Sequence, residues 1–399
     1  MMRSRKTQWI VFSILALILV AALSSKLTLI IYSNPNVSSA PPAQSSPRLW
    51  PLIDEAPDYA AKPLSQVLDH LDYVHGANSM RTFNYTVRSR LRHRQFRDLD
   101  VFADELRDSK ARFPGGDWQL FKLYGLMSEP ATGWWAPDPQ WEAHLKIIEE
   151  WMSAFPDSIT ARVTYAHTLI NYAWKVRGQG WAQDVKEEQW VLFNERNRKA
   201  KQVLQEAEAL PSRCPQWYYL MQRIALAFSW VRDDYDKLFD EAVEFEPLYM
   251  AYYSAKANYL LPRWYGKEGE WEKFLVEATG RLEGEAGSAA FLYLFTGMEE
   301  YFEESELTPN VHRFWPLLQR GYQSTETLYR MSSALANGYA RLAYIAGDRA
   351  EARVAFQRVG EDWKSDVWKN KEHFDQVKKW AFSSADSGSE IPIPAKDNP

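Results

Sequence analysis

Cysteine and recognisable catalytic motifs are almost absent from this sequence. Cys214 is the single cysteine among 399 residues, which excludes an internal disulfide, a CxxC pair and any zinc or iron–sulfur centre built on cysteines. HExxH, GxSxG and P-loop motifs are also missing, and the seven histidines are scattered without metal-ligand spacing. We therefore predict no metal, no cofactor and no catalytic residue, and an enzyme with a dispersed acid/base pair stays open as an alternative.

An excess of positive charge is missing as well. The chain has 47 Lys and Arg against 52 Asp and Glu, a net charge of -5 and a pI near 5.9. Dedicated nucleic-acid binders carry a basic surface, so we predict no nucleic-acid partner. The 46% hydrophobic and 25% charged residues are ordinary for a folded globular chain, and the main skew is aromatic, with 18 Trp, 21 Tyr and 19 Phe.

The N-terminal segment combines a basic start with a long hydrophobic run. An uncharged stretch rich in Ile, Leu, Val and Ala ends before Lys26, and apolar residues then resume. We predict that residues 9–32 form an uncleaved membrane anchor, because about 20 apolar residues suffice to span a bilayer as a helix. A signal peptide cleaved after Ala22 or Ser24 is the alternative.

The charge pattern and the prolines predict an order of segments along the chain. The basic residues place residues 1–8 in the cytoplasm, so a bacterial protein would cross the inner (cytoplasmic) membrane once and expose its C-terminal domain to the periplasm. Residues 33–63 hold seven prolines and are predicted to form an extended tether. We predict a helical-repeat domain over residues 64–382 and a disordered tail over residues 383–399.

Apolar residues beyond the tether recur at the three- and four-residue steps of amphipathic helices. Asp157 and Ser158 predict an N-cap for a helix that continues to Arg177 and ends at Gly178. The same periodicity predicts helices over Leu99–Lys110, Gln140–Ala154, Trp190–Ala209, Trp217–Val231, Leu248–Leu261, Glu270–Arg281, Ala289–Phe302, Thr325–Ile345 and Arg349–Gln357. The fold is therefore predicted to be all-α after the membrane helix.

Part of a tetratricopeptide pattern recurs in these helices. Each copy places two packing positions a few residues apart in the second helix of a hairpin, usually followed by a proline that ends it. The copies are Ile148, Trp151 and Pro156; Leu204, Ala207 and Pro211; Phe239, Ala242 and Pro247; and, after Asp348, Ala352 and Phe356. We predict a tetratricopeptide-like array of helical hairpins, an α-solenoid, in which stacked neighbours bury each other's apolar faces.

Three longer strings resemble one family. They are AWKVRGQGWAQDV (Ala173–Val185), WVLFNER (Trp190–Arg196) and YLLPRWYGKEGEWEKF (Tyr259–Phe274). Over roughly Phe96 to Leu282 the chain is similar to the uncharacterised bacterial family called domain of unknown function 4034. The resemblance implies a helical fold and no particular activity. This chain departs from the family at Tyr265, where a second small residue usually follows the tryptophan.

The first candidate site is Trp174, Arg177, Gly178, Gly180 and Trp181. Glycines permit a tight turn or the close approach of a ligand, arginine can clamp a carboxylate or phosphate, and tryptophan can stack. The simpler alternative is that Gly178 caps the helix, Arg177 favours its negative end, and both tryptophans belong to the core.

The second candidate site is Arg263 and Trp264, with Glu195 and Arg196. Arg263 follows a helix end and could pair with a glutamate of another hairpin, or offer a cation and an aromatic face to a carboxylated peptide or sugar. A structural junction is the simpler interpretation. The basic run at residues 88–97 and the acidic run at residues 299–306 are expected to be solvated helix faces.

The sequence leads to two functional hypotheses. The first is a membrane-anchored, extracytoplasmic scaffold that binds a protein or peptide partner through its repeats. The alternative is a cell-envelope glycan-binding or glycan-active protein, because Trp134, Trp135 and Trp141 could stack on sugars. Aromatic residues at helical steps inside the hairpins are expected to pack between repeats instead.

Overall fold

The computed structural model describes residues 77–383, with side chains from residue 82 onward. The predicted segments at residues 1–8, 9–32 and 33–63 lie outside the described residues, and so does the predicted tail apart from Ser383. Within the described part of the chain, fifteen α-helices occur and no β-strand, as expected for an all-α fold. No helix of this part is long and apolar enough to cross a membrane.

The helices follow one another through short connections. They are α1 (Ala77–Arg92), α2 (Phe96–Ser109), α3 (Gln119–Met127), α4 (Asp138–Ala154), α5 (Ile159–Arg177), α6 (Glu187–Ala207), α7 (Pro215–Ala227), α8 (Arg232–Phe245), α9 (Ala251–Tyr259), α10 (Glu270–Gly280), α11 (Gly284–Met298), α12 (Glu304–Tyr329), α13 (Ser333–Ile345), α14 (Arg349–Val359) and α15 (Lys371–Phe382). Two 3₁₀ turns cover Ala182–Asp184 and Glu299–Tyr301.

The odd-numbered helices form a row. Each of α1, α3, α5, α7, α9 and α11 packs against the next odd-numbered helix, and the row ends at α13. The even-numbered helices α6, α8, α12 and α14 pack mainly on the helix that precedes them. This arrangement of stacked pairs is a helical-repeat architecture and is consistent with an α-solenoid.

The packing positions of the repeated sequence pattern are all buried on even-numbered helices. They are Ile148 and Trp151 on α4, Leu204 and Ala207 on α6, Phe239 and Ala242 on α8, and Ala352 and Phe356 on α14. Tyrosines at the turn before α9 and within it (Tyr249, Tyr252, Tyr253 and Tyr259) are also buried. These aromatic residues lie between repeats, as the sequence predicts.

Local signals set both ends of α5. The Ser158 side chain accepts a hydrogen bond from the Ala161 amide at 2.9 Å, which satisfies one of the free N–H groups of the first turn. At the other end, Gly178 has a φ of 75° and its amide donates to the Trp174 carbonyl at 3.0 Å. Of the two predicted capping residues, Ser158 forms the cap and Asp157 does not, and the predicted stop at Gly178 is confirmed.

The predicted single helix over Thr325–Ile345 is wrong, because the chain breaks after Tyr329. Arg330 adopts a φ of 59°, and Ser332 caps the new helix α13 by accepting from the Leu335 amide. The break is held from a distance by residues 110–118, which we call the Gly115 loop. Its Gly115 amide donates to the Arg330 carbonyl at 2.8 Å, and a β-carbon on Gly115 would lie 2.6 Å from Ser332 Oγ.

The apolar period also missed four helices. They are α1, α3, α8 and α15, and the predicted Thr325–Ile345 helix covers only the last five residues of α12. Helix α3 has nine residues, too few for the period to stand out from a loop. Helix α8 contains four Asp and two Glu, and its buried face is reduced to Tyr235, Leu238, Phe239 and Ala242.

Candidate functional site at the ends of α5 and α9

Arg177, the last residue of α5, lies among three tryptophans. Its guanidinium carbon is 5.4 Å from the ring centre of Trp174, 5.7 Å from that of Trp190 and 5.4 Å from that of Trp264. These distances fall within the range of cation–π attraction. We call Arg177 and these three tryptophans the Arg177 cage. Arg177 is only 6% exposed.

The cage is built from three elements of the fold. Trp174 lies one turn before Arg177 on α5, Trp190 lies in the first turn of α6, and Trp264 follows α9. Trp174 meets Trp264 edge to face, with ring centres 5.7 Å apart at 88°. Phe193 contacts both Trp174 and Trp190 in the same manner. Edge-to-face pairs of this kind add about 0.5–1.5 kcal/mol each beyond area burial.

The Arg177 guanidinium fixes the loop that follows α5. Its Nη1 donates to the carbonyls of Gly178 and Gly180, each at 3.0 Å. A cation is also favourable at the carbonyl end of a helix. Gly178 requires its positive φ here, whereas no atom stands within 4 Å of where its β-carbon would lie. The structural alternative from the sequence, a helix-capping role for Arg177 and Gly178, is therefore part of the arrangement.

The charge of Arg177 is not balanced by an acid from the part of the chain that the structure describes. Its Nε and Nη2 make no hydrogen bond, and the guanidinium makes no ion pair, within residues 82–383. Burial lowers the pKa of the guanidinium, and the positive charge of Arg263 lowers it further, while Tyr265 acts in the opposite direction. Within the same cage, Trp174 Nε1 is a buried donor with no acceptor among the described residues.

Arg263 and Trp264 belong to a tight turn at the end of α9. The Trp264 amide donates to the Leu261 carbonyl at 2.9 Å, and the Tyr265 amide donates to the Tyr259 carbonyl at 3.2 Å. A β-carbon on Gly266 would lie 1.8 Å from the Leu260 carbonyl oxygen, so only glycine fits there.

Tyr265 does not open this turn, although the family usually has a small residue at its position. Its hydroxyl lies 2.6 Å from Ser229 Oγ and donates to the Leu226 carbonyl at 3.2 Å. Its ring packs on Tyr259 with centres 5.0 Å apart. The larger side chain therefore ties the end of α9 to the end of α7.

The structure splits the second candidate group. Arg263 and Trp264 join the Arg177 cage, with the Arg263 guanidinium 5.6 Å from the Trp264 ring centre. Arg196 lies elsewhere: its guanidinium stacks 3.3 Å above the ring of Tyr172 and donates to the Tyr172 carbonyl at 3.0 Å. Glu195 is exposed on α6, and no ion pair joins it to Arg263 in the described part of the chain.

The first candidate group is held together, with one exception. Trp174, Arg177, Gly178 and Gly180 meet as described, but Trp181 is 61% exposed and has no ring contact with the cage. The site predictions did not name Trp190 of the cage or Phe193, which packs against it. Their signal was the string WVLFNER, which contains both residues and was assigned no role.

The two charged runs are not simple solvated faces. In the basic run, Arg90 is 1% exposed and lies 3.7 Å from the carboxylate of Asp98, and Arg94 pairs with Glu150 at 2.6 Å. In the acidic run, the Glu299 side chain is only 10% exposed and pairs with Arg341 at 2.7 Å. The predicted solvated face is therefore wrong for Arg90 and Glu299, because tertiary packing covers them.

The remaining candidates have little chemistry of their own. Cys214 is buried, and its thiol donates to the Tyr124 hydroxyl at 3.2 Å. Trp141 is buried and Trp135 is 79% exposed. Within residues 77–383, no group of three or more His, Cys, Asp or Glu side chains is placed to hold a metal ion.

Comparison with known proteins identifies a family and no relative of known activity. No curated protein and no solved structure matches this chain significantly. One family model matches part of the chain. The matched region contains three cage residues, Trp174, Arg177 and Trp190. Trp264 and the string Tyr259–Phe274 lie beyond its C-terminal end. Residues 85–230 match the model of the family described as Domain of unknown function (DUF4034), which is the family that the three sequence strings resemble.

Proposed function

We propose that this protein is a helical-repeat scaffold that binds a protein or peptide partner. The observation that carries the proposal is the surface where α5, α7 and α9 end side by side. There Arg263 is exposed, Trp181 is 61% exposed and Tyr265 is 39% exposed. Stacked repeats commonly bind extended segments along such rows, because successive helices repeat similar positions.

The finer features of the proposal come from the sequence. The hairpins are degenerate tetratricopeptide-like units, supported by the buried pattern residues on α4, α6, α8 and α14. Residues 9–32 anchor the chain in the inner membrane, and residues 33–63 give the repeats reach on the periplasmic side. Both segments rest on hydrophobicity, charge and proline content alone.

Crosslinking in living cells tests the proposal. The full-length chain and a control consisting of residues 1–63 are expressed at equal levels, crosslinked and purified. We expect at least one protein to be enriched with the full-length chain and not with the control. Equal recovery of every protein with both chains would contradict the scaffold proposal.

Glycan binding is the second candidate, favoured by the exposed ring of Trp135. Trp141 cannot contribute, because it is 0% exposed and stacks on Tyr172 at 5.2 Å. Tryptophan fluorescence is titrated with peptidoglycan fragments in the unchanged protein and in Trp135→Ala. Glycan binding predicts a change in emission that the variant loses, and an unchanged spectrum at about millimolar fragment, a weak-binding regime, would contradict it.

A further inference from the structure

We infer that Arg177 and Arg263 form a site for the carboxylate of an acidic peptide segment. The inference rests on the proposed scaffold function and names the chemistry that one part of the scaffold recognises. Its geometric basis is that both guanidinium groups approach the same indole. Arg177 lies 5.4 Å from the ring centre of Trp264, and Arg263 lies 5.6 Å from it.

Arg177 differs from the other buried charges of the described chain. Four Arg, Lys, Asp or Glu residues are less than 9% exposed there: Arg90, Arg177, Glu246 and Lys256. Arg90 approaches Asp98 at 3.7 Å, Glu246 pairs with Lys110 at 2.7 Å, and Lys256 pairs with Asp236 at 2.7 Å. Arg177 has two carbonyl acceptors in place of an acid. Buried charges are normally paired, so its lack of an acid partner among residues 82–383 leaves the guanidinium able to take an anion from elsewhere.

A second cation beside an unpaired buried one is unfavourable unless an anion joins them. The positive charge of Arg263 acts directly on Arg177, whose pKa it lowers. Arg263 is exposed and has no ion pair among residues 82–383. A carboxylate between the two guanidiniums would accept charge-assisted hydrogen bonds and remove their repulsion. The free Nε and Nη2 of Arg177 have the paired geometry that carboxylates accept.

The surroundings favour a carboxylate over a phosphate or a sugar. Arg177 ends α5 and Arg263 follows the end of α9, and the partial negative charge of helix C-termini opposes a dianion more than a monoanion. Sugars need open aromatic faces, whereas Trp174 is engaged edge to face by both Trp264 and Phe193. An acidic side chain of an extended peptide meets these conditions.

Calorimetric titration of the full-length chain tests the site. The probe is a synthetic peptide with four glutamates and an amidated C-terminus, and its control has glutamine at the same four positions. We expect the glutamate peptide to bind at least about tenfold more tightly, since one hydrogen bond between charged groups contributes about that much to affinity. Equal affinity for the two peptides, or no binding of either, would overturn the carboxylate assignment.

Matched variants locate the binding. Arg263→Gln removes an exposed cation of the site, and Lys267→Gln removes an exposed cation four residues further along. We expect Arg263→Gln to weaken binding of the glutamate peptide about tenfold and Lys267→Gln to leave it nearly unchanged. Equal weakening by both would show general electrostatic attraction and overturn the site. Arg177→Lys keeps the positive charge but loses the planar guanidinium with its paired N–H donors, so it should also weaken binding.

Two further outcomes distinguish failure of the carboxylate site from failure of the scaffold proposal. If glucuronic acid competes as strongly as the glutamate peptide, the carboxylate is that of a sugar and the peptide assignment is wrong. If Arg263→Gln retains every crosslinked partner in cells, the scaffold proposal holds and the Arg177–Arg263 site is wrong. Loss of partners in that variant, with retention in Lys267→Gln, supports both.

Discussion

Arg341, whose side chain is 17% exposed, and the buried Arg177 show two ways in which this fold accommodates a positive charge. Arg341 on α13 pairs with Glu299 at 2.7 Å and lies 3.5 Å from Glu304, so its charge is balanced inside the chain. Arg177 on α5 is surrounded by three tryptophans and two backbone carbonyls. The Arg341 pair is complete, whereas the Arg177 cage can still accept an anion.

Breaking the complete pair should have the largest effect on stability. Arg341→Met leaves Glu299 buried without its partner, and we expect a loss of about 3–5 kcal/mol in the free energy of unfolding near pH 8. Arg358→Met is the control, because Arg358 and Glu326 form a pair at 2.6 Å in which both side chains are 45% exposed and such pairs contribute about 1 kcal/mol or less. Chemical denaturation measures both variants. Equal losses would show that burial does not distinguish the two pairs.

The Glu299 carboxyl should make stability depend on pH. Burial is the largest influence on it and raises its pKa to about 7, against an opposing effect of Arg341. The folded state therefore holds this proton more tightly than the unfolded state. Its contribution, about 3 kcal/mol, is complete below pH 4.5, the usual pKa of glutamate, and is lost as pH rises to about 7. Unfolding measured from pH 4.5 to 8 should show this decline.

The variant Glu299→Gln should remove the decline, because it cannot release a proton. Glu300→Gln alters the exposed neighbour and should leave the decline in place. A pH profile of Glu299→Gln that matches the unchanged protein would assign the decline to other groups.

Removing the charge of the Arg177 cage should cost less than breaking the Arg341 pair. Arg177→Met loses two hydrogen bonds to carbonyls but leaves no acid unpaired, so we expect about 1–3 kcal/mol at pH 8. Denaturant unfolding beside Arg341→Met gives the comparison directly. A loss larger than that of Arg341→Met would mean that Arg177 already has a balancing acid in solution.

Trp181 should have the smallest effect of all. It follows Gly180 but lies 61% exposed outside the cage, so Trp181→Ala should change the free energy of unfolding by less than about 0.5 kcal/mol. Trp174→Ala, in the cage, is the contrasting variant and should lose far more because it removes contacts with Trp264 and Phe193. Similar losses in thermal unfolding would place Trp181 against the cage.

Features set by local chemistry were predictable from sequence. The ends of α5 follow from Ser158 and Gly178, whose capping roles need only their neighbours along the chain. The break at Arg330 was not predictable, because it depends on the Gly115 loop, which contacts it only after folding. The apolar periodicity alone predicts a helix that continues through Arg330.

The sequence predicted most residues of the candidate site but not which of them contact one another. Arg177 adjoins Gly178, Trp264 lies two residues after Pro262, and Trp174 lies one turn before Arg177, so all three stand out near predicted helix ends. Trp190 joins them only because α6 packs back on α5, and Arg196 is drawn instead to Tyr172. Such partner choices depend on how helices stack, which residue spacing does not encode.

The Gly115 loop has a consequence for how the array unfolds. Repeat proteins can lose structure one hairpin at a time, because each repeat contacts only its neighbours. Here Asp117 accepts a hydrogen bond from the Tyr293 hydroxyl across 176 positions of sequence, at 2.8 Å, and the Trp118 indole donates to the Leu248 carbonyl at 2.6 Å. These bonds link the first hairpin to distant ones. Unfolding that starts at the N-terminal hairpin must therefore also break contacts in the middle of the array. The matched domain at residues 85–230 accordingly depends for its cooperativity on chain that lies beyond it.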